Sequence, residues 1–257
     1  MDTSALYALI LSTVAGLSTL LGFLMVFFVK KDSKKTVSCA LGFAAGVMLS
    51  VSFINLLPEG QMFLAQSVDE KWSIVLSIVF MVAGILVALG LDRLVPHDKF
   101  DEEKSDKPHK NLFRVGFVSM LGIMLHNLPE GIATFMAGYT DIRLGITIAI
   151  AIAMHNIPEG IAVALPIYYA TNDKKKAFKY TFLSGIAEPV GGLLAFLVLR
   201  PVITDFVLGA TFALIAGIML YICLEELIPT SRQYGHSRPA LFFTFLGICV
   251  MPLSGLF

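Results

Sequence analysis

The stretch GIMLHNLPEGIATF, residues 122–135, decides the reading of this chain, because its core returns as AMHNIPEGIAVA at residues 153–164. The segments HNLPEGIA (126–133) and HNIPEGIA (155–162) differ only where Leu128 stands opposite Ile157. Each copy sets a histidine, an asparagine, a proline and a glutamate inside a run otherwise apolar enough to lie in lipid. A lone intramembrane asparagine or histidine more often serves as helix adhesion. An ionisable side chain at mid-membrane, however, costs about 2.5–3.5 kcal/mol even on lenient scales. Helix adhesion does not require two glutamates and two histidines at matched depth, so these residues are read as chemistry.

Working outward, the chain has 257 residues, of which 56% are hydrophobic and only 15% charged. That is more apolar surface than a soluble core of this size hides, which makes this a membrane protein. A helix crossing the hydrocarbon needs about 20 mostly apolar residues. Such runs occur at 6–29, 38–58, 73–95, 112–138, 144–170, 177–199, 203–228 and 239–257. The expected fold is therefore an all-α integral membrane protein of eight transmembrane helices, one polytopic domain over residues 1–257. The first run is read as a span rather than a cleaved leader, since no Ala-x-Ala pattern follows it. Cys39, Cys223 and Cys249 fall in or beside spans, where a thiol behaves as a small apolar group.

The formal net charge of zero hides a pattern. All basic residues except Lys71, Arg143 and Arg200 cluster in alternate loops, after the first, third, fifth and seventh runs. Arg114 is counted with the loop after the third. By the positive-inside rule these loops are cytoplasmic and both termini lie outside, as in a multi-pass protein of a cell (inner) membrane. The dispersion of the lysines over short loops excludes a nucleic-acid surface. The longest connection, PHDKFDEEKSDKPHKN at 96–111, reads as a solvated cytoplasmic linker in which His97 and His109 are ordinary loop residues.

A second repeat pairs AGVMLSVSFINLLP at 45–58 with AGIMLYICLEELIP at 216–229. Its copies run in opposite senses under the charge-derived topology. Three helices, a central pair and three more of inverted orientation form a 3+2+3 arrangement with inverted repeats, the symmetry that secondary transporters use.

Within the first repeat, His126 and Glu130 are four apart on one helix face, and Asn127 meets Glu130 from three apart. Glu130 is thus flanked by an imidazole and an amide, and His155, Asn156 and Glu159 repeat the geometry. Imidazole with carboxylate suits zinc-like ions, and amide with carboxylate oxygens suits harder ones. Pro129 and Pro158 should kink their helices and free the carbonyls of Leu125 and Met154. Gly131 and Gly160 should allow close helix approach. Glu188, in SGIAEPVGG, is a further mid-span carboxylate with the same proline and glycine company, and its expected part is to complete the oxygen-rich site. Met48 is an additional candidate ligand through its thioether, or simply packs. Asn55 and Glu226, with Glu59 and Glu225, sit in the last turns of their helices, where they line a cation pathway or face interfacial water.

At these residues the sequence resembles the ZIP family of divalent-metal transporters, most closely its ZupT-like bacterial branch. The two HN-x-PEG segments carry the resemblance, with Glu188 following them and spans covering the whole chain. It implies a binuclear site between helices four, five and six. One metal would be held by His126, Glu130, His155 and Glu159, with Met48 as a possible addition, and the other by Asn127, Glu130, Asn156, Glu159 and Glu188. It further implies uptake of zinc, and in this branch also of iron(II), manganese, cobalt or cadmium, toward the cytoplasm. The chain departs from the branch at Asn55, near which an acidic residue is common. It also lacks a histidine-rich tract between helices three and four.

An intramembrane metal-dependent enzyme is the alternative, since histidine and glutamate along helices also describe di-metal catalysts. The H-E-x-x-H pattern, the Glu-x-x-His order and the G-x-x-x-x-G-K-[ST] loop are all absent. An enzyme is therefore not expected, nor a pump driven by nucleotide. The expected partners are divalent metal ions as cargo (Zn2+, Fe2+) and membrane lipid, with no nucleic acid and no cofactor, and a homodimer is the open alternative for assembly. Because carboxylates and imidazoles must be deprotonated to take a metal, uptake should weaken at low pH.

Overall fold

The computed structural model describes residues 3–29, 33–94, 112–199 and 204–256. The linker 96–111, with His97 and His109, lies outside the described residues, as do Lys30, Lys31 and Arg200. All described regular structure is helical: α1 (Thr3–Phe28), α2 (Lys34–Ala65), α3 (Glu70–Leu94), α4 (Leu112–Thr140), α5 (Ile142–Thr171), α6 (Lys174–Leu197), α7 (Asp205–Arg232) and α8 (Ser237–Val250), the last continued by a 3-10 stretch, Met251–Leu256. Among the described residues, seven helices are long and apolar enough to cross a membrane, and the apolar segment Ser237–Leu253 is shorter. The second expected span, 38–58, is longer than read, because α2 continues past Pro58 to Ala65.

Small residues decide how these helices pack. In lipid there is no hydrophobic drive between helices, so stripes of small side chains that let backbones touch supply the contact. On α1 the stripe is Ala5, Ala8, Ser12, Ala15 and Thr19, and on α3 it is Ser73, Ser77, Gly84, Ala88 and finally Asp92. The remaining faces of α3 carry exposed Trp72, Ile78, Val79, Val82 and Leu86. Where helices cross, glycines abut the partner's carbonyls. Gly131 meets the carbonyl of Glu188 and Gly191 that of Leu128, which joins α4 to α6. Gly160 meets Thr19 and Gly22 meets Ile157, which joins α5 to α1. Gly46 and Gly247 join α2 to α8 in the same way, and Gly84 and Gly217 join α3 to α7. At each of these positions a Cβ would overlap backbone.

These crossings sort the helices into two groups. Helices α1, α4, α5 and α6 meet backbone to backbone among themselves, and so do α2, α3, α7 and α8. Between the groups the contact at Gly122 of α4 is with the side chains of Ile218 and Ile222 on α7. The seam is apolar there and made by side chains.

Prolines act unevenly. In α2 and α7 the winding loosens to π-helix over Ser52–Leu56 and Ile222–Leu227, ahead of Pro58 and Pro229. The N–H of Leu57 reaches the carbonyl of Ser52, and that of Ile228 reaches Cys223, five residues back in each case. A proline ring clashes with the carbonyl four residues earlier, and a shifted hydrogen bond relieves it. The kinks expected at Pro129 and Pro158 take no such form: α4 and α5 remain α-helical through both prolines. Gly131 and Gly160, two residues further on, cross against α6 and α1. The breaks near the polar residues fall instead on the neighbours, at Ser18 of α1 and at Ile186 of α6.

Close crossings predict an asymmetry between glycines. Gly217→Ala, against the backbone of Met81, should destabilise the detergent-solubilised protein by about 1–3 kcal/mol. Gly90→Ala, facing open space in α3, should be neutral or stabilising by up to about 1 kcal/mol. Thermal unfolding of both variants checks the pair.

Candidate metal centre

The residues singled out on α4, α5 and α6 come together in the interior of the first helix group. His126, Asn127, Asn156, Glu159 and Glu188 have no exposed surface, Glu130 is 3% exposed and His155 5%. Oε1 of Glu130 lies 2.9 Å from Nε2 of His155 and 3.2 Å from Nε2 of His126. The same nitrogen of His126 is 3.4 Å from Oε1 of Glu159. The imidazole centroids are 5.9 Å apart. Ligand atoms of His126, His155 and Glu159 all lie within 4.8 Å of one another, near enough for a single cation.

The asparagines are held differently. Asn127 donates its amide to the carbonyl of Ser184 at 3.0 Å. Asn156 donates to Glu188 at 2.8 Å and to the carbonyl of Ala15 at 2.9 Å. That carbonyl belongs to the break in α1, where Ser18 also donates to it at 2.6 Å. Both amide nitrogens are thereby committed, and both Oδ1 atoms stay without a donor. The hydroxyl of Ser12 donates to the backbone carbonyl of Glu188 at 3.1 Å and ties α1 to α6.

A set of buried oxygens is left unpartnered: Oδ1 of Asn127 and Asn156, Oε2 of Glu130, both oxygens of Glu159 and Oε1 of Glu188. Buried polar atoms are almost always satisfied, and each exception calls for an explanation. These oxygens gather on the same few helix turns as the unpartnered imidazole nitrogens of His126 and His155, as expected where a cation supplies the missing partner. The chemistry divides in two, an imidazole and carboxylate side around His126 and His155 and an oxygen-only side around the asparagines and Glu188.

The other sequence candidates are placed less simply. Met48 is fully buried on α2, where its side chain packs in the apolar core and its carbonyl accepts the hydroxyl of Ser52 at 2.8 Å. Asn55 is half-buried within the π-helical stretch of α2. Glu59 is exposed yet within electrostatic reach of His155 and Glu130, the two cluster residues with any exposure. Glu225 is exposed. Glu226 is not exposed to interfacial water but is buried against Arg114 at 3.0 Å. Arg114, counted with a loop in the sequence, is buried inside α4 because Asp92 and Glu226 neutralise it there. Sequence reasoning also passed over Cys223, which is fully buried on α7 within electrostatic reach of Glu159. Its alignment with Ser52 in the second repeat was the available signal.

With the geometry in place, comparison with known proteins is decisive. The model of the family described as ZIP Zinc transporter matches residues 3–112 and 96–255. The chain belongs to the ZIP zinc transporter family. It is 44% identical over 253 residues to the zinc transporter ZupT of Streptococcus mutans, covering 96% of each chain. The ZupT of Chlorobaculum parvum is 43% identical over 99% of this chain and 98% of its own, and that of Campylobacter jejuni 41% over 96% and 94%. The family is one of transporters, not enzymes, and the seven long apolar helices make this member a multi-pass membrane protein.

The pinned amide of Asn156 gives a direct check. Asn156→Asp would remove the donors to Ala15 and Glu188 and set a second carboxylate against Glu188. Without metal the variant should be less stable by about 1–3 kcal/mol, as for a broken buried hydrogen-bond pair, read as a lowered unfolding temperature in detergent.

Proposed function

We propose that the protein carries zinc into the cytoplasm across a cell (inner) membrane through a binuclear site. His126, Glu130, His155 and Glu159 hold one ion, and Asn127, Glu130, Asn156, Glu159 and Glu188 the other. The observation that carries this reading is Glu130, a buried carboxylate that touches two imidazoles through one oxygen and leaves its second without a partner. Such a group bridges two adjacent cations. The curated relatives named above are zinc transporters, which sets the metal-dependent enzyme aside. Iron(II), manganese, cobalt and cadmium are further substrates on this reading, because the oxygen-only side suits harder ions than the imidazole side.

The same reading has α8 as an eighth span, in the 3+2+3 arrangement with inverted repeats. Two kinds of pairing support it. The crossings of α2 with α8 and of α4 with α6 have counterparts in α7 with α3 and α5 with α1. The π-helical stretches of α2 and α7 fall at matching places in the second repeat. Both termini then lie outside, with 96–111 in the cytoplasm. Glu59, exposed on the outer side of the cluster, offers a first carboxylate to arriving cations.

Uptake of radioactive zinc and iron(II) into proteoliposomes tests the proposal. Glu130→Ala should lower both fluxes by at least about 100-fold, since even outer-shell changes at metal sites cost 10–100-fold. His155→Ala should lose zinc flux preferentially, and Asn156→Ala and Glu188→Ala iron flux. Undiminished uptake in Glu130→Ala would reduce the HN-x-PEG pair to helix packing.

A further inference from the structure

Among the described residues, Arg114 is the only buried lysine or arginine. Its Nη1 lies 3.0 Å from Oε1 of Glu226 on α7, and its Nη2 bonds Oδ1 of Asp92 on α3. Tyr221 of α7 donates to the second oxygen of Asp92 at 3.2 Å and fixes that carboxylate. Arg114, Asp92 and Glu226 are 8%, 8% and 4% exposed. The position of this triad in the fold is what gives it meaning. Arg114 belongs to the helix group that holds the metal centre, while Asp92 and Glu226 belong to the other group. The seam between the groups is otherwise apolar beside it, with a small void lined by Ala88, Leu91, Val118, Leu121, Gly122 and Ile222, among others. A guanidinium sharing two carboxylates is a polar clasp across a surface that side chains alone would let slip.

The clasp is also one-ended. Arg114 lies twelve residues before His126, about 18 Å along α4 at 1.5 Å per residue. The repeat register that matches His126 to His155 matches Arg114 to Arg143, in FRVG and IRLG. The second repeat matches Glu226 to Asn55. At the opposite end of the helix pair the counterpart arginine is exposed, and the position on α2 that matches Glu226 carries no charge.

We propose that Arg114, clasped by Asp92 and Glu226, is the cytoplasmic latch of the transport path: its ion pairs join the two helix groups at this end and must part for the metal to leave. Which end is cytoplasmic rests on the topology proposed above; the latch itself rests on the ion pairs. Arg114 is a positioning residue, not a metal ligand.

Side-specific labelling tests it without any metal. In a protein with Cys39, Cys223 and Cys249 replaced by serine, Leu91→Cys places a thiol in the seam one residue from Asp92. A membrane-impermeant maleimide applied to inside-out and right-side-out vesicles reads access to it. With Arg114 intact, labelling should be slow from both sides. Arg114→Gln should raise the rate at least tenfold from the cytoplasmic side only, and the exchange Arg114→Glu with Glu226→Arg should restore slow labelling. In proteoliposomes Arg114→Gln should also raise the zinc KM several-fold, since fewer molecules then present the site outward. If Arg114→Gln does not fold, Asp92→Asn and Arg114→Lys, which weaken one arm of the clasp each, should raise labelling by a smaller factor. Unchanged labelling in a folded variant overturns the latch, because a merely structural ion pair would lower the unfolding temperature without opening one side. Faster labelling from the outside alone would overturn the assigned orientation and with it the cytoplasmic latch. Loss of zinc transport in the parent protein would instead count against the proposed function.

Discussion

Glu130 is the side chain around which the first helix group is arranged. One of its oxygens lies within 3.2 Å of both imidazoles and the other faces no donor, at a depth where an unpaired carboxylate is costly. Much of the first helix group serves to hold that arrangement. Gly131 brings α6 and Glu188 against α4, Gly160 brings α1 against α5, and the break in α1 turns the Ala15 carbonyl toward Asn156. The small-residue stripe of α1 is what allows it to wedge between α5 and α6. Acceptor oxygens thus accumulate around one point, held by helices too tightly crossed to move apart and leave them to water.

Much of this was legible in the sequence, for a physical reason. The repeated HN-x-PEG segment carries costly residues in a fixed helical register, and a register of three and four residues determines which side chains meet. Glu188 was legible because a carboxylate beside proline and glycine in an apolar run has few other uses. The places where the reading went astray are equally physical. Pro129 and Pro158 were expected to kink their helices, and there the α-helix continues without the π-helical rewinding seen elsewhere. In α2 and α7 the π-helical turns form ahead of Pro58 and Pro229.

Arg114 shows the limit of one-dimensional reading most plainly. Near the start of a hydrophobic run, an arginine after a basic loop is indistinguishable from one more positive-inside charge. What removes it from the loop is the pair of carboxylates on α3 and α7, more than 20 and 100 residues away in sequence, brought together only by the bundle. Asp92 was equally hidden, although the spacing of the buried stripe on α3 ends on it. Long-range charge pairing leaves no local signature, whereas metal-ligand spacing on a helix does.

The two repeats make the protein's ends comparable, and the comparison is instructive because it fails in one respect. The helix crossings, the π-turns of α2 and α7 and the His-Asn-Glu triads have counterparts, so these features by themselves give no preference between one side and the other. The charges do not match: Glu226 is paired and buried where Asn55 is neutral and half-buried, and Arg114 is clasped where Arg143 is exposed. A symmetric scaffold with an asymmetric pair of ends has one side that opens against side-chain packing alone and one that must also part ion pairs. Breaking a buried pair leaves an uncompensated charge and costs several kcal/mol unless water or a cation replaces the lost partner. On the topology proposed above, a divalent ion arriving at the inner end is such a replacement, so the transported species would lower the barrier to its own release.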